Sequence, residues 1–562
     1  MRRECSAQLD TCNGITAPQP SAAVDRPVND TESQVSTIFD YIIVGGGSSG
    51  CLLAARLSES PDNKVLLIES GRNDVNPYIH IPATFIRVLL GGRDAQTCVS
   101  VPETSLNGRS FALWQGHVIG GGSSVNAMIY IRGHAEDYNG WAKMGCTGWS
   151  YDEVLAEFRK FEGNERLDDA FHGTEGELKV SDPRFRHPLS QAFVRAAQEA
   201  GVRSTDDFNG AHQEGAGFYQ QTTYRGRRWS SAAAFLNKAR SRSNLTIVTD
   251  ARVARVLFSG RRATGIELLD GRTFACSAEV VITAGTLSTP KILQLSGVGN
   301  AAELRQHGIA VIADVPGVGE NFQDHVEAAV QGRAREPISL LGEDSLLRGA
   351  GHMLRYLLTR RGLLSSNVVE SGAFVDTAGA GRPDVQFHVT PLITSVGGAV
   401  PQAIHGISVN PCVLRPTSRG SVKLRSADPR EPGLFVSNVL QSPEDVETLV
   451  RGVRLGMRIL EAPALARLLD GRVTPTDVDA RDDEALRHYV RKAAKTVYHP
   501  VGTCRMGPEG DALAVVDPKL RLRGVENVRI ADASVMPTLI SGNTNAPTMM
   551  IAHRAAEFIL RG

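Results

Sequence analysis

Gly45, Gly47 and Gly50 lie between the apolar run Tyr41 to Val44 and the segment Val65-Leu66-Leu67-Ile68-Glu69, the spacing of a site that holds a dinucleotide. Gly45 permits a tight turn after the strand, Gly47 lets a pyrophosphate approach the backbone, and Gly50 lets the following helix lie close on the strand. Ser48 and Ser49 lie in the turn before that helix, Cys51 to Leu57, whose N-terminus would receive the pyrophosphate. Glu69 falls 19 residues after Gly50, where its carboxylate can accept hydrogen bonds from a ribose hydroxyl. It would repel an adenosine 2′-phosphate, so FAD or NAD fits better than NADP.

The elements that must position these residues form a long chain. At 562 residues it exceeds one ordinary core, and two domains around a shared cleft are expected. Lysine plus arginine total 61 and aspartate plus glutamate total 61, so no net field favours nucleic acid or an anionic membrane. The eight cysteines form no C-x-x-C pair, which argues against a disulfide framework or zinc site and for a reducing, cytoplasmic location. Residues 1–37 are polar and proline-bearing, with no apolar core behind Arg2-Arg3 to make a secretory signal, and read as a disordered arm. No window is apolar for long enough to cross a membrane. The leucine-rich stretch Leu340 to Leu364 carries Arg348, Arg355, Arg360 and Arg361 and reads as a surface helix or loop ahead of the alternative, a peripheral membrane attachment, which the sequence leaves open.

A second glycine-rich segment, Gly116 to Met128, implies close backbone approach to a ligand or another strand. Short apolar runs at Leu245 to Thr249, Ala251 to Leu257 and Gly265 to Leu268 suggest strands and hairpins, and Val280 to Gly285 reads as another buried strand ending in glycine. The nucleotide domain is therefore discontinuous. Asp384 to Val389 alternates as a half-buried strand, and Ser421 to Leu424 resembles another. The expected fold class is α/β: a Rossmann-like nucleotide domain (38–190, 228–330 and 495–562) with a second α+β domain on an antiparallel sheet (191–227 and 331–494).

Over nearly all of residues 39–562 the chain resembles the glucose-methanol-choline (GMC) oxidoreductases, flavoproteins that oxidise alcohols. The resemblance rests on Gly45 to Glu69, Gly116 to Gly133, Gly285 to Gly299, Leu414 to Gly420, His499 to Gly507, and Asp532 to Pro537 through Asn543 to Thr548. The wording is similar to the bacterial choline dehydrogenase-like branch, which covers many substrates. His117 departs from the usual Arg or Lys after the glycine of the second block. Val125 occupies the position where some relatives carry the histidine that tethers the flavin, so the resemblance implies noncovalent FAD.

Oxidising an alcohol needs a hydride acceptor, which no side chain can be and which a flavin is at N5. The resemblance places His499 facing the flavin as the base, and Asn543 as the amide that hydrogen-bonds the substrate oxygen; a neutral amide is not a base. Asn545 competes with Asn543 for that role, its other task being to fix the loop against the ring. Gly121, Ser123, Ser124, Asn126 and Ala127 are expected near pyrophosphate and isoalloxazine, Val253 near the adenine, and Asp532 and Ala533 in a segment that closes over the flavin. Glu370, Gln386, His388 and Asn438 come from segments that line the cavity in relatives. Glu370 is either an attractor for a cationic substrate such as an amino alcohol or a carboxylate hydrogen-bonded to nearby backbone. Histidine spacing gives no metal site.

The expected activity is FAD-dependent oxidation of a primary alcohol (a small alcohol, polyol, sugar or amino alcohol) to the aldehyde. Its partners are that small molecule and an electron acceptor left open among oxygen, quinone or another, so oxidase and dehydrogenase both stand. Lyase or decarboxylase chemistry on the same fold and a non-enzymatic FAD-binding protein are the alternatives. An NAD-dependent dehydrogenase is disfavoured by the blocks after residue 116. Tyr498, just before the base, is a candidate to restrict oxygen access.

Overall fold

The computed structural model describes residues 38–397, 402–476 and 478–561; the expected N-terminal arm lies outside them. Ile38–Val44 is the centre of a seven-stranded sheet in the order Leu245–Val248, Val65–Ile68, Ile38–Val44, Thr273–Ile282, Arg262–Leu268, Val253–Ser259. The first four strands run parallel, and Val528–Ile530 adds in parallel beside the end of Thr273–Ile282. Val65 to Ile68 is buried at every residue, as a parallel strand covered on both faces must be. The helix Ser48–Leu57 packs on this sheet and against the C-terminal helix Asn545–Arg561. That packing requires glycine at position 50, where a Cβ would lie 1.9 Å from the Gly45 carbonyl oxygen.

The second large sheet is antiparallel, in the order Leu469–Thr474, Val330–Ala334, Gly406–Val413, Val385–Thr390, Ser371–Val375, Gly215–Phe218. The short strands Val326–Glu327 and Lys495–Thr496 join it. These two strands fall inside segments expected to belong to the nucleotide domain. Val326–Glu327 pairs with Gly406–Val413, and Lys495–Thr496 pairs with Val326–Glu327, so both carry the chain from one sheet to the other.

Val385–Thr390 is buried throughout, not half-buried as its alternation suggests. Val385, Phe387 and Val389 belong to the core that includes the helix Pro443–Glu461, while His388 and Thr390 line the main cavity. The alternation records two buried environments rather than core and water. The leucine-rich stretch forms an exposed helix, Leu346–Thr359, as expected.

The second glycine-rich segment turns directly against the first. Gly121 has φ of 49°, and a Cβ there would lie 2.7 Å from the Gly47 Cα. Two loops from distant parts of the chain thus form one cradle at the C-terminal ends of the parallel strands.

Candidate active site

A cavity of about 1280 Å³ runs from this cradle to the antiparallel sheet. At the nucleotide end it is lined by Gly45, Gly47, Ser48, Ser49, Glu69, Gly121, Asn126, Ala127, Val253, Asp532, Ala533 and Asn545, all expected from the sequence. Glu69 is clamped: its two carboxylate oxygens accept the N–H of Gly46 and of Gly71, each at 2.7 Å. Burial raises its pKa and those donors oppose the rise. Oε1 accepts in addition from the Ser70 hydroxyl at 3.3 Å, and Oε2 retains a lone pair for a further donor. Asp532 accepts from the Gly285 N–H at 2.8 Å, from the Thr289 hydroxyl at 2.7 Å and from the Ser534 N–H at 2.8 Å, tying the C-terminal segment to the end of the parallel sheet. Asn545 accepts from the Ser48 hydroxyl at 2.9 Å, which joins the last helix to the first glycine loop.

Three expected residues stand behind the wall rather than in it, the first being Ser123, which is buried and donates to the Gly120 carbonyl at 2.6 Å. Ser124 is fully buried and donates to the Ile119 carbonyl at 2.8 Å, and Gly50 holds helix to strand. His117 is not a lining residue either; its buried Nε2 lacks a hydrogen-bond partner.

A flavin dinucleotide fits this end. A Cβ at Gly122 would meet nothing within 4 Å, so open space reaches the backbone of the second glycine loop, where a pyrophosphate needs N–H donors. Val125 also lines the cavity.

His499 and Asn543 meet at the other end. Asn543 Nδ2 lies 3.1 Å from His499 Nε2, and Asn543 Oδ1 accepts from Gln386 Nε2 at 3.1 Å. The far side of the His499 ring faces a residue absent from the sequence reading, with Nδ1 2.9 Å from His325 Nδ1. His325 Nε2 lies 2.9 Å from the Leu414 carbonyl oxygen, which can only accept. That nitrogen therefore carries the proton, and burial drives the His325 pKa down to about 3 and keeps the ring neutral. His325 Nδ1 is then an acceptor, His499 Nδ1 donates to it, and the His499 lone pair is left at Nε2, beside Asn543. Burial foremost, then His325 and His388, holds His499 well below the ordinary histidine pKa. Its backbone N–H donates to Asp324 at 2.8 Å, a carboxyl that burial pushes up to about 7.

The expected substrate residues divide. His388 lines the cavity, and Gln386 stands behind Asn543. Glu370 does not face the cavity: it is buried and accepts from the His187 N–H and the Ser366 hydroxyl, each at 2.5 Å. Burial pushes it up to about 7. Asn438 has a left-handed backbone and donates to the Arg419 carbonyl at 2.8 Å, a turn residue away from the cavity. The carboxylate that does line the substrate end is Glu327, which burial would raise but which Lys495 at 3.1 Å and His388 at 3.4 Å keep depressed and ionised. Asn410 Oδ1 is a buried acceptor without a hydrogen-bond partner, and Glu327 Oε2 has only the His388 ring at 3.4 Å. Glu157, His553 and Glu557 approach one another closely enough to suggest a metal site, but the Lys160 ammonium bridges the two carboxylates at 2.8 and 2.6 Å.

A dinucleotide cradle opening onto a neutral buried histidine defines an oxidoreductase that works through a bound redox nucleotide. The sequence carries the class further, to one family. Residues 39–327 match the N-terminal part and residues 416–552 the C-terminal part of the GMC oxidoreductase family, and the chain belongs to it. FAD is therefore the nucleotide.

The chain is 44% identical to the alcohol dehydrogenase [acceptor] of Pseudomonas putida, over 93% of this chain and 96% of that one. It is 40% identical to human mitochondrial choline dehydrogenase, over 93% and 89%. Pyridoxine 4-oxidase from Mesorbium loti superposes with a TM-score of 0.83 at 31% identity, covering 92% of this chain and 98% of that one.

Among the described residues no helix is long and apolar enough to cross a membrane.

Proposed function

We propose that this enzyme oxidises a primary alcohol to its aldehyde, with His499 Nε2 taking the hydroxyl proton. The observation that carries the reading is the ordered run Leu414 O, His325, His499, Asn543, in which every proton is assigned and the His499 lone pair lies at Nε2 on the cavity side, held there only by the Asn543 amide. FAD, when bound, supplies the hydride acceptor. The alcohol oxygen replaces the direct contact between Asn543 Nδ2 and His499 Nε2, giving its proton to Nε2 and accepting an Nδ2–H as charge develops on it. Gln386 keeps the Asn543 amide turned so that nitrogen, not oxygen, faces the substrate. The noncovalent attachment of FAD is supported by Val125 in the cavity wall where a tether would stand; acid precipitation that leaves the flavin in the supernatant tests it.

The unpartnered Asn410 oxygen, beside the ionised Glu327, favours substrates with a second hydrogen-bond donor, a diol or amino alcohol, because a buried acceptor without a donor is costly. The test is an anaerobic absorbance spectrum of the holoenzyme titrated with alcohols, diols, sugars and amino alcohols, then exposed to air. Bleaching of the flavin band by a primary alcohol is the expected result, and prompt recovery in air separates oxidase from dehydrogenase. A flavin that no alcohol bleaches overturns the reading in favour of lyase-type chemistry or a non-enzymatic role.

A further inference from the structure

The helix Leu346–Thr359 wears its apolar side outward. Leu346, Leu347, Leu354, Leu357 and Leu358 are 88, 87, 61, 58 and 76% exposed. At about 100° per residue they share one stripe about 120° wide. Tyr356 is the helix's only buried residue, and its hydroxyl donates to the Gly226 carbonyl at 3.1 Å. A surface helix ordinarily turns such a stripe into the core, and a contiguous exposed apolar patch marks a contact surface.

The charges beside the stripe select the occupant. No acidic residue occurs between Ser345 and Val369. Arg348 pairs with Glu343, but Arg355, Arg360 and Arg361 have no carboxylate partner among the described residues. Two copies of this face would bring their cationic rims together and repel. An anionic lipid surface satisfies both features at once, taking leucines into the headgroup boundary and arginines onto phosphates. The helix packs on the turn Leu363–Ser365, which packs on Pro82–Thr84. The next helix, Phe85–Leu90, forms part of the cavity wall through Ile86, Leu89 and Leu90. The stripe is thus linked by direct packing to the apolar side of the active-site cavity.

We propose that Leu346–Thr359 docks the enzyme peripherally on an anionic membrane surface. The neutral charge of the whole chain does not oppose this, since the attraction is local to one helix and falls off within a Debye length.

Flotation of the FAD-loaded full chain with vesicles of equal parts phosphatidylcholine and phosphatidylglycerol, and with phosphatidylcholine alone, tests the proposal. The enzyme should float with the anionic vesicles. The triple variant Leu347→Glu, Leu354→Glu, Leu358→Glu should float at least about tenfold less, with flavin spectrum and Tm unchanged because these side chains lie in water. Arg355→Gln with Arg361→Gln should lose the preference for anionic over neutral vesicles. Should the triple variant misfold, the single change Leu347→Ser carries the same test with a smaller loss. Absence of flotation, or flotation indifferent to the leucines, overturns the proposal. So does a solution dimer that the leucine variants dissociate, which would make the stripe a subunit interface.

Discussion

A histidine serves as a base only when its lone pair, and not its N–H, faces the proton it is to take. His325 decides this for His499 through a contact between ring nitrogens 2.9 Å apart. Replacing His499 by Ala should lower the rate of flavin reduction by about 10²- to 10⁴-fold. His325→Phe should keep much of the packing yet free the His499 tautomer, lowering kcat/KM by about 10²-fold while FAD stays bound; stopped-flow reduction with absorbance at the flavin band reads both. If His325→Phe reduces at the wild-type rate, the tautomer argument fails. The depressed pKa of His499 has a definite sign: a base is active unprotonated, so kcat/KM for this group should be flat through neutral pH and fall only as pH drops below about 6.5. A pH profile of kcat/KM whose acid limb lies above that value would contradict it.

At the scale of elements, His187 shows how burial couples a helix to pH. Its Nδ1 accepts the Leu189 N–H at 3.1 Å and caps the helix Pro188–Glu199, and burial lowers its pKa to about 4. The folded state holds His187 neutral and the unfolded chain does not, so its contribution is present above about 6.5 and is lost as pH falls towards about 4. His187→Asn keeps a capping acceptor and removes the titration; thermal melts across that range should show a shallower fall in Tm for the variant than for the wild type.

How far the elements were legible follows from sequence distance. The turn from Ile38–Val44 into Ser48–Leu57, and the acid at the end of Val65–Ile68, are local patterns and were read correctly. His325 was missed because its partner lies 174 residues away, brought near by the pairing of Val326–Glu327 with Lys495–Thr496. Nothing local marks it out either, since Asp324-His325 lies in a run already polar at Glu320, Asn321, Gln323 and Glu327. Glu370 could not be told from Glu327 by sequence, because both are lone acids near strands and only the fold shows which faces the cavity. Val385–Thr390 misled for a related reason, since a pattern of alternate residues says that two sides differ but not that one is wet.

For the molecule as a whole, the nucleotide end of the cavity draws its wall from the loops of Gly45 and Gly121 and from Val253, Gly285, Asp532 and Asn545, positions that span most of the chain. FAD bound there bridges all of them, so it should stabilise the entire fold and not a local lobe. A hundredfold excess of FAD over its Kd adds about 2.7 kcal/mol. Protein stripped of flavin should melt lower and in a single transition that climbs with added FAD; two separate transitions, only one of them FAD-dependent, would contradict this.

The division of the cavity between two sheets has a consequence for how such an enzyme diversifies. Glu327, His388, Asn410 and Lys495 all sit on strands of the antiparallel sheet, whereas the glycine loops and Glu69 belong to the parallel one. Mutations that reshape the substrate wall therefore fall on a different framework from those that weaken the cofactor. Laboratory evolution aimed at those strand positions can explore new alcohols with the redox machinery held constant, and libraries built there should retain flavin far more often than libraries of equal size built in the glycine loops.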